Sequence, residues 1–256
     1  MDEMAAPHSV YTDEEVVAFY ARFEEQRAAE IAWANDNADL LKEARLLDLG
    51  VGAGRTTALL APICKAYVWV DYSAPLIEAA RKRFPNTDLR VGDARSLPWV
   101  PKDSIDVVVF SFNGIDTMGR EDRDLVVEEV ARILRPGGWF LFSSHNQDAQ
   151  SYRRLARLEK PRLSRVWVRR TARRIRALLR HMRMRSREEF GNGWSIINDE
   201  AHDYRLMHFY TTKTHQEQAL VDAGFSILQV YQQDGRLWSA PDTESLDLHY
   251  WCQKAV

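Results

Sequence analysis

The sequence predicts an α/β protein: a mostly parallel sheet with helices on both faces, carrying an Arg-rich helical insertion after the fifth strand. Three observations predict it. Short apolar runs alternate with stretches of helical spacing through the first half of the chain, the signature of βαβ units. A glycine-rich turn joins the first apolar run to the first helical stretch. The charges are also sorted: residues 151–187 hold 14 Arg and one Lys against one acid, a local charge of +14, whereas the whole 256-residue chain has a net charge of -2.

Each element has its own signal. Residues 44–50 (ARLLDLG) form an apolar run closed by Asp and Gly, read as a buried strand, and residues 55–65 have helical spacing. Residues 66–71 (AYVWVD) give a second strand. A helix over 74–84 comes next, with Pro75 in its first turn, where the missing N–H costs nothing. Residues 87–91 are a short third strand; 105–112 (IDVVVFSF), the most β-branched run, form a central fourth. An amphipathic helix over 120–134 ends at Arg135-Pro136-Gly137-Gly138, and residues 139–144 make the fifth strand. Beyond the basic segment, 204–211 reads as a strand and 214–223 as a helix stopped by Gly224. Residues 225–232 and 248–254 read as two final strands. No repeat or low-complexity linker divides the chain, so the expectation is a single domain over 1–256 with an insertion at about 147–200.

Composition excludes several classes. Hydrophobic content of 45% suits a packed core. No stretch approaches the ~20 apolar residues that span a bilayer, and the acidic N-terminus lacks a signal-peptide core. Two cysteines, Cys64 and Cys252, rule out a disulfide scaffold and cannot complete a zinc cluster alone. The expectation is a cytoplasmic protein without a metal.

The glycine turn, Leu46-Leu47-Asp48-Leu49-Gly50-Val51-Gly52-Ala53-Gly54, is not a dinucleotide fingerprint. That motif requires G-x-G-x-x-G, but Arg55 or Thr57 stands at the third glycine position, depending on register. No G-K-[ST] ending marks a P-loop either. The register that fits is acid-x-Gly-x-Gly-x-Gly. With Asp71 ending the second strand, Gly92-Asp93-Ala94 after the third, Ser111-Phe112-Asn113-Gly114 after the fourth and Leu134-Arg135-Pro136-Gly137-Gly138 before the fifth, the chain resembles the class I S-adenosylmethionine-dependent methyltransferases. The resemblance covers about residues 44–146 and the last three elements.

It implies a Rossmann-like sheet of seven strands, the last antiparallel, and S-adenosylmethionine as cofactor, leaving S-adenosylhomocysteine as product. It implies that Gly50, Gly52 and Gly54 form the cofactor loop and that Asp71 accepts the ribose hydroxyls. Asp93 with Ala94 would meet the adenine amino group, and Tyr72 or Ser73 would lie along the adenine. Ser111, Phe112 and Asn113 would stand beside the methionine part. Asp48 would order the loop or meet the methionine ammonium; Asp106 starts a strand and reads as structural. Tyr11, Phe19 and Tyr20 precede the first strand and are expected in core packing, with a cofactor-covering helix as the alternative.

For the acceptor, His145 follows the fifth strand and is the best base, since an ordinary histidine pKa near 6.5 suits proton acceptance. The plainer alternative is a strand-end histidine bonding a loop. His202, His208 and Tyr204 are further pocket candidates, and Trp194 and Tyr210 candidate aromatic walls. No Asn-Pro-Pro-Tyr stretch follows the fourth strand, which weakens the case for a nucleobase amine or glutamine amide.

In the insertion, Pro161 is expected to start a helix, and Leu163, Val166 and Trp167 an apolar stripe. Ile175, Leu178, Leu179 and Met182 form a second stripe, with Arg173, Arg176, Arg180 and Arg183 mostly on another face. Four readings stand: a lid over an anionic small acceptor, a track for nucleic acid, contact with an anionic membrane surface, or a solvated charged face. The expected function is methylation at N or O of a small metabolite, an anionic one included. The rivals are an RNA or DNA methyltransferase docking through the Arg-rich helix, and a cofactor-binding interaction module without catalysis. Oligomeric state is left open.

Overall fold

A computed structural model describes residues 7–150, 152, 165–239 and 244–256. Four short helices come first: α1 (Pro7–Tyr11), α2 (Glu14–Tyr20), α3 (Ala28–Asp36) and α4 (Ala38–Glu43). The alternation begins with β1 (Arg45–Leu49), α5 (Thr57–Leu60), β2 (Ala66–Asp71), α6 (Ala74–Arg83), β3 (Asp88–Val91), β4 (Ile105–Phe110), α7 (Arg120–Ile133) and β5 (Leu134–Asn146). The chain continues through α8 (Arg165–Met184), β6 (Glu189–Gly191), β7 (Trp194–Ile197), β8 (His208–Thr211), α9 (Lys213–Asp222), β9 (Phe225–Gln232) and β10 (Asp247–Lys254).

β3, β2, β1, β4 and β5 lie side by side in that order, all parallel. β10 runs antiparallel along β5 and carries β9 outside it. These seven strands are the expected sheet. The order reverses beside β1, between β2 and β4, where open α/β sheets form a ligand crevice at the carboxyl ends. Both faces are buried, so β4 shows no apolar–polar alternation. Val108 and Phe110 pack with Val126, Val130 and Ile133, all from α7, while Val107 and Val109 pack with Trp33, Leu41 and Trp251.

The sheet is larger than expected: it has ten strands among the described residues. β4 leaves β5 after the Phe110–Phe142 pair, and β8 pairs with β5 further on, at His145–Tyr210 and Asn146–Thr211. β7 and β6 extend that branch antiparallel. The 147–200 insertion is therefore part helix and part hairpin. Three other expectations change. The helix over 55–65 shrinks to Thr57–Leu60, because the loop before it turns through left-handed glycines and Pro62 cannot supply a helical N–H. The strand over 204–211 starts only at His208, since His202, Asp203 and Tyr204 adopt left-handed backbone. The fifth strand starts at Leu134, taking in the turn residues. Pro161 and Leu163 lie outside the described residues, as do the side chains of Val166 and Trp167.

Candidate active site

A cleft and a cavity meet at the carboxyl ends of the strands. The cleft, about 90 Å³, is lined by Gly50, Gly52, Asp71, Tyr72, Ala94, Ser111 and Phe112, among others. Gly50 has a φ of +61°, and a Cβ there would stand 2.6 Å from the Phe110 ring; no other residue fits. Gly52 is also left-handed, with open space where its Cβ would point, so its backbone is bare to a ligand.

Among the described residues, Asp71 is the one acidic side chain along this cleft. It is buried, yet its oxygens accept only backbone N–H groups among those residues, from Gly52 at 2.8 Å and Ser73 at 2.7 Å. Burial, only partly offset by those two donors, pushes its pKa up to about 6. Asp48 lies below the loop, buried, and accepts hydrogen bonds from Thr56 and Tyr67. It too is raised to about 6, by burial. It orders the loop and does not line the cleft. Gly54 packs under Phe84 and Trp69. Ser73 caps α6 and donates to the Tyr11 carbonyl at 2.7 Å. Asp93 stands off the cleft, paired with Arg95 at 2.6 Å; Ala94 and Gly92 line the wall in its place. Asp106 is structural, holding Arg45 N–H and Arg135.

Tyr11 and Tyr20 line both spaces, and Phe19 is exposed. Tyr11 and Tyr20 also pack against buried Val10, Val16 and Leu206, as core packing expects, so both readings stand for them, and neither describes Phe19. Phe112 is the shared wall. Phe112 and Asn113 are consecutive left-handed residues, with φ of 57° and 56°, a conformation that costs about 1–3 kcal/mol each and collects at functional sites. The Phe112 ring lies under two guanidinium groups, Arg27 at 4.6 Å and Arg55 at 5.0 Å. Arg55 is itself fixed by buried Glu30 and by Ser111. Neither arginine could be picked from the sequence, since each meets the ring from a distant part of the chain.

The cavity, about 660 Å³, is lined by Asn113, His145, Asp199, His202, His208 and Tyr210, among others. β5 places His145 between Asp247 on β10 and Tyr210 on β8. Its ring stacks on Tyr210 at 4.7 Å. Its Nδ1 lies 2.8 Å from Asp116 Oδ2, off the line of a good hydrogen bond. Asp116, in the 3-10 turn Gly114–Thr117, is fully buried and also pairs with buried Arg123. Burial lowers the His145 pKa, but the Asp116 carboxylate outweighs it, and the balance is raised. Burial raises Asp116, while Arg123 and then His145 bring it below the ordinary value.

Asp199 forms a second centre, 2.9 Å from His208 Nδ1 and accepting from Tyr210 at 2.8 Å. Although burial raises it, His208 holds it far below the carboxylate range. His202 is pushed down to about 4 by burial and then by the neighbouring His208 and Arg205. Tyr204 lines the cavity, whereas Trp194 stacks on Phe209 instead. No local signal in the sequence points to Asp116 or Asp199, because their partners come from other elements.

Residues 46–138 match the family model of a methyltransferase domain. Over 102 residues the chain is 36% identical to a probable S-adenosylmethionine-dependent methyltransferase of Mycolicibacterium smegmatis, covering 40% of this chain and 38% of that protein. Residues 46–138 are thus a methyltransferase domain, and over about two fifths of its length the chain is similar to S-adenosylmethionine-dependent methyltransferases. It spans about two fifths of the length of the curated relatives it matches. Two solved structures share the fold. An S-adenosylmethionine-dependent methyltransferase from Clostridium acetobutylicum has a TM-score of 0.64 at 13% identity, covering 94% of this chain and 98% of that one. The 1,6-didemethyltoxoflavin-N1-methyltransferase of Burkholderia thailandensis, with S-adenosylhomocysteine bound, has a TM-score of 0.61 at 14% identity, covering 100% and 93%.

The cleft suits S-adenosylmethionine in chemistry. A buried carboxylate with no cation paired to it among the described residues faces it, beside bare backbone at Gly52. Its width does not yet suit the ligand, since small-molecule sites usually measure ~300 Å³ or more. Tyr11 and Tyr20 roof it, held down by the Ser73–Tyr11 bond and by an Asp13–Arg205 pair at 2.9 Å.

Proposed function

We propose that the chain methylates N or O of a small molecule held in the 660 Å³ cavity, as one domain with residues 147–200 inserted into it. The observation that carries this is the shared wall: Tyr11, Tyr20, Phe112 and Thr117 line both spaces. A ligand in one therefore lies against a ligand in the other. S-adenosylmethionine supplies the electrophilic methyl group. Asp71 and the Gly50–Gly52 backbone would hold its adenosine end, and the Phe112–Asn113 turn would stand beside its methionine part.

His145 is the general base. With Nδ1 turned to Asp116, Nε2 is the nitrogen left for an acceptor proton, and the carboxylate stabilises the imidazolium that forms. Alignment within the cavity supplies much of the remaining rate. An amine that is neutral at working pH needs no base; a hydroxyl does.

The acceptor is polar and aromatic-friendly more than anionic. Of the basic side chains of residues 151–187, only His181 and Arg185 line the cavity among the described residues; with Arg27 they face Glu188, Asp199, Glu200 and Asp247. Docking of RNA or DNA along the basic helix has less support, because that helix turns an apolar stripe outward. A cytoplasmic setting is part of the proposal and fits two free cysteines, Cys64 and Cys252. The test is a metabolite extract incubated with methyl-labelled S-adenosylmethionine. A labelled small product carries the proposal; label only in nucleic acid or protein, or none with any fraction, ends it.

A further inference from the structure

Helix α8 is mounted the wrong way round for a helix of a water-soluble domain. An amphipathic helix ordinarily turns its apolar stripe to the core and its charges to water. Here the inward side comprises Ala177, His181 and Met184, all buried, together with arginines tied to the loop beneath. Arg173 donates to Asp203 at 2.6 Å, Arg174 lies 3.5 Å from Glu200, and Arg180 donates to the Asp203 carbonyl at 2.6 Å. The outward side carries Val168, Ile175, Leu179 and Met182, which are 57%, 46%, 50% and 70% exposed. At 3.6 residues per turn these four fall within roughly 60° of the helix circumference. Arg169, Arg176 and Arg183 recur every seven residues along one border of that stripe.

The chemistry of the stripe selects its occupant. The helix holds eight arginines and no acid, so a second copy laid against it sets one cationic border against another. A nucleic acid backbone satisfies the arginines and leaves the stripe in water. An anionic bilayer serves both, with acyl chains for the stripe and phosphates for its border. Helices that lie in the membrane interface are of this kind, sharply two-faced yet polar in overall composition. Among the described residues no helix is long and apolar enough to cross a membrane, so the contact lies along the surface.

We propose that α8 is an interfacial helix that seats Val168, Ile175, Leu179 and Met182 in the headgroup region of an anionic lipid bilayer, with Arg169, Arg176 and Arg183 on lipid phosphates. His181, on the opposite side of the same helix, lines the acceptor cavity. The bilayer thus presses on one side of a wall whose other side faces the methyl acceptor. Binding does not depend on methyl transfer and is read without it.

The experiment is flotation of the full chain with vesicles of phosphatidylcholine alone or mixed with phosphatidylglycerol. The chain is expected to float with the mixed vesicles and to be released partly by salt. Ile175→Ser with Leu179→Ser lowers the partition constant by about tenfold or more with an unchanged melting temperature, as both side chains are half exposed. Arg169→Gln with Arg176→Gln lowers it by roughly thirtyfold, on the phosphatidylglycerol vesicles only. Hydrogen exchange of the wild-type chain adds a readout that needs no variant: amides of 168–184 gain protection when the mixed vesicles are added. Absence of flotation, flotation unaffected by the serine variant, or exchange unaffected by vesicles overturns the proposal. So does a dimer in sedimentation velocity that the serine variant dissolves, or RNA binding tighter than vesicle binding.

Discussion

The two sides of the site are built from different materials. Around β1, β2 and β4 the cleft is made of left-handed glycines, apolar and aromatic side chains and, among the described residues, a single carboxylate, Asp71. Around β5 and β8 the cavity is made of ionisable side chains, with His145 on Asp116 and His208 on Asp199. Side chains gathered from β5, β8 and the turns between them line the proposed acceptor side. Damage to one side should therefore leave the other working.

The largest effect is expected at His145. For a hydroxyl acceptor, His145→Ala lowers kcat by about 10²–10⁴-fold while leaving S-adenosylhomocysteine affinity by calorimetry unchanged. The wild-type rate should rise with pH through a value above the ordinary histidine range, because the Asp116 carboxylate favours the protonated ring and the base works only when neutral. The same raised pKa stabilises the fold at acid pH, and this contribution is lost as pH rises through it. A lost affinity for S-adenosylhomocysteine in the variant breaks the separation.

Next comes Arg123, which pairs with Asp116, donates to Gln216 at 2.8 Å and lies over the Phe209 ring at 4.2 Å. Arg123→Leu strands a buried carboxylate and costs about 3–5 kcal/mol of stability, read from urea unfolding. Adding Asp116→Asn should recover part of that loss without restoring the rate. Full recovery of the rate removes Asp116 from its place behind His145.

Asp71→Asn is expected to weaken S-adenosylhomocysteine roughly tenfold to a hundredfold, the worth of one or two hydrogen bonds to a charged group. The ligand-free protein should at the same time melt higher at neutral pH, since the substitution removes a buried charge whose pKa burial has raised. A variant that binds normally sharpens the comparison differently, by leaving the cofactor side to glycine backbone and apolar walls.

The legibility of the sequence divides the same way. The parallel strands, α6 with its Ser73 cap, and the positions of Gly50, Gly52 and Asp71 could be read because each signal lies within a few adjacent residues. Asp93 was read from position alone, and the nearby Arg95 claims its carboxylate. Asp116, Asp199 and Arg55 were invisible, because their meaning depends on partners distant in the chain. Arg55 meets Glu30 and Ser111, 25 and 56 residues away, and Asp116 meets His145 across 29. The apolar stripe of α8 was visible as a stripe. Its direction was not, because helical periodicity fixes which residues share a face and leaves open which way that face turns.

The smallest effect is a pH dependence on the cofactor side, and it runs two ways at once. Asp71 is raised to about 6 from an ordinary 3.8, so the folded protein prefers the neutral carboxyl. Its contribution to stability is fully present below about 4 and is lost as pH rises through about 6. A bound ribose prefers the ionised form as its acceptor. Affinity for S-adenosylhomocysteine should therefore climb by about tenfold between pH 5 and 6.5 while the ligand-free melting temperature falls. Asp48 titrates over the same range and adds to the slope of the melting curve, but it does not line the cleft. In Asp48→Asn the affinity slope should persist while the stability slope shrinks; in Asp71→Asn the affinity slope should vanish. An affinity slope that follows Asp48 instead means that the loop, ordered from below, sets binding more than the carboxylate in the wall does.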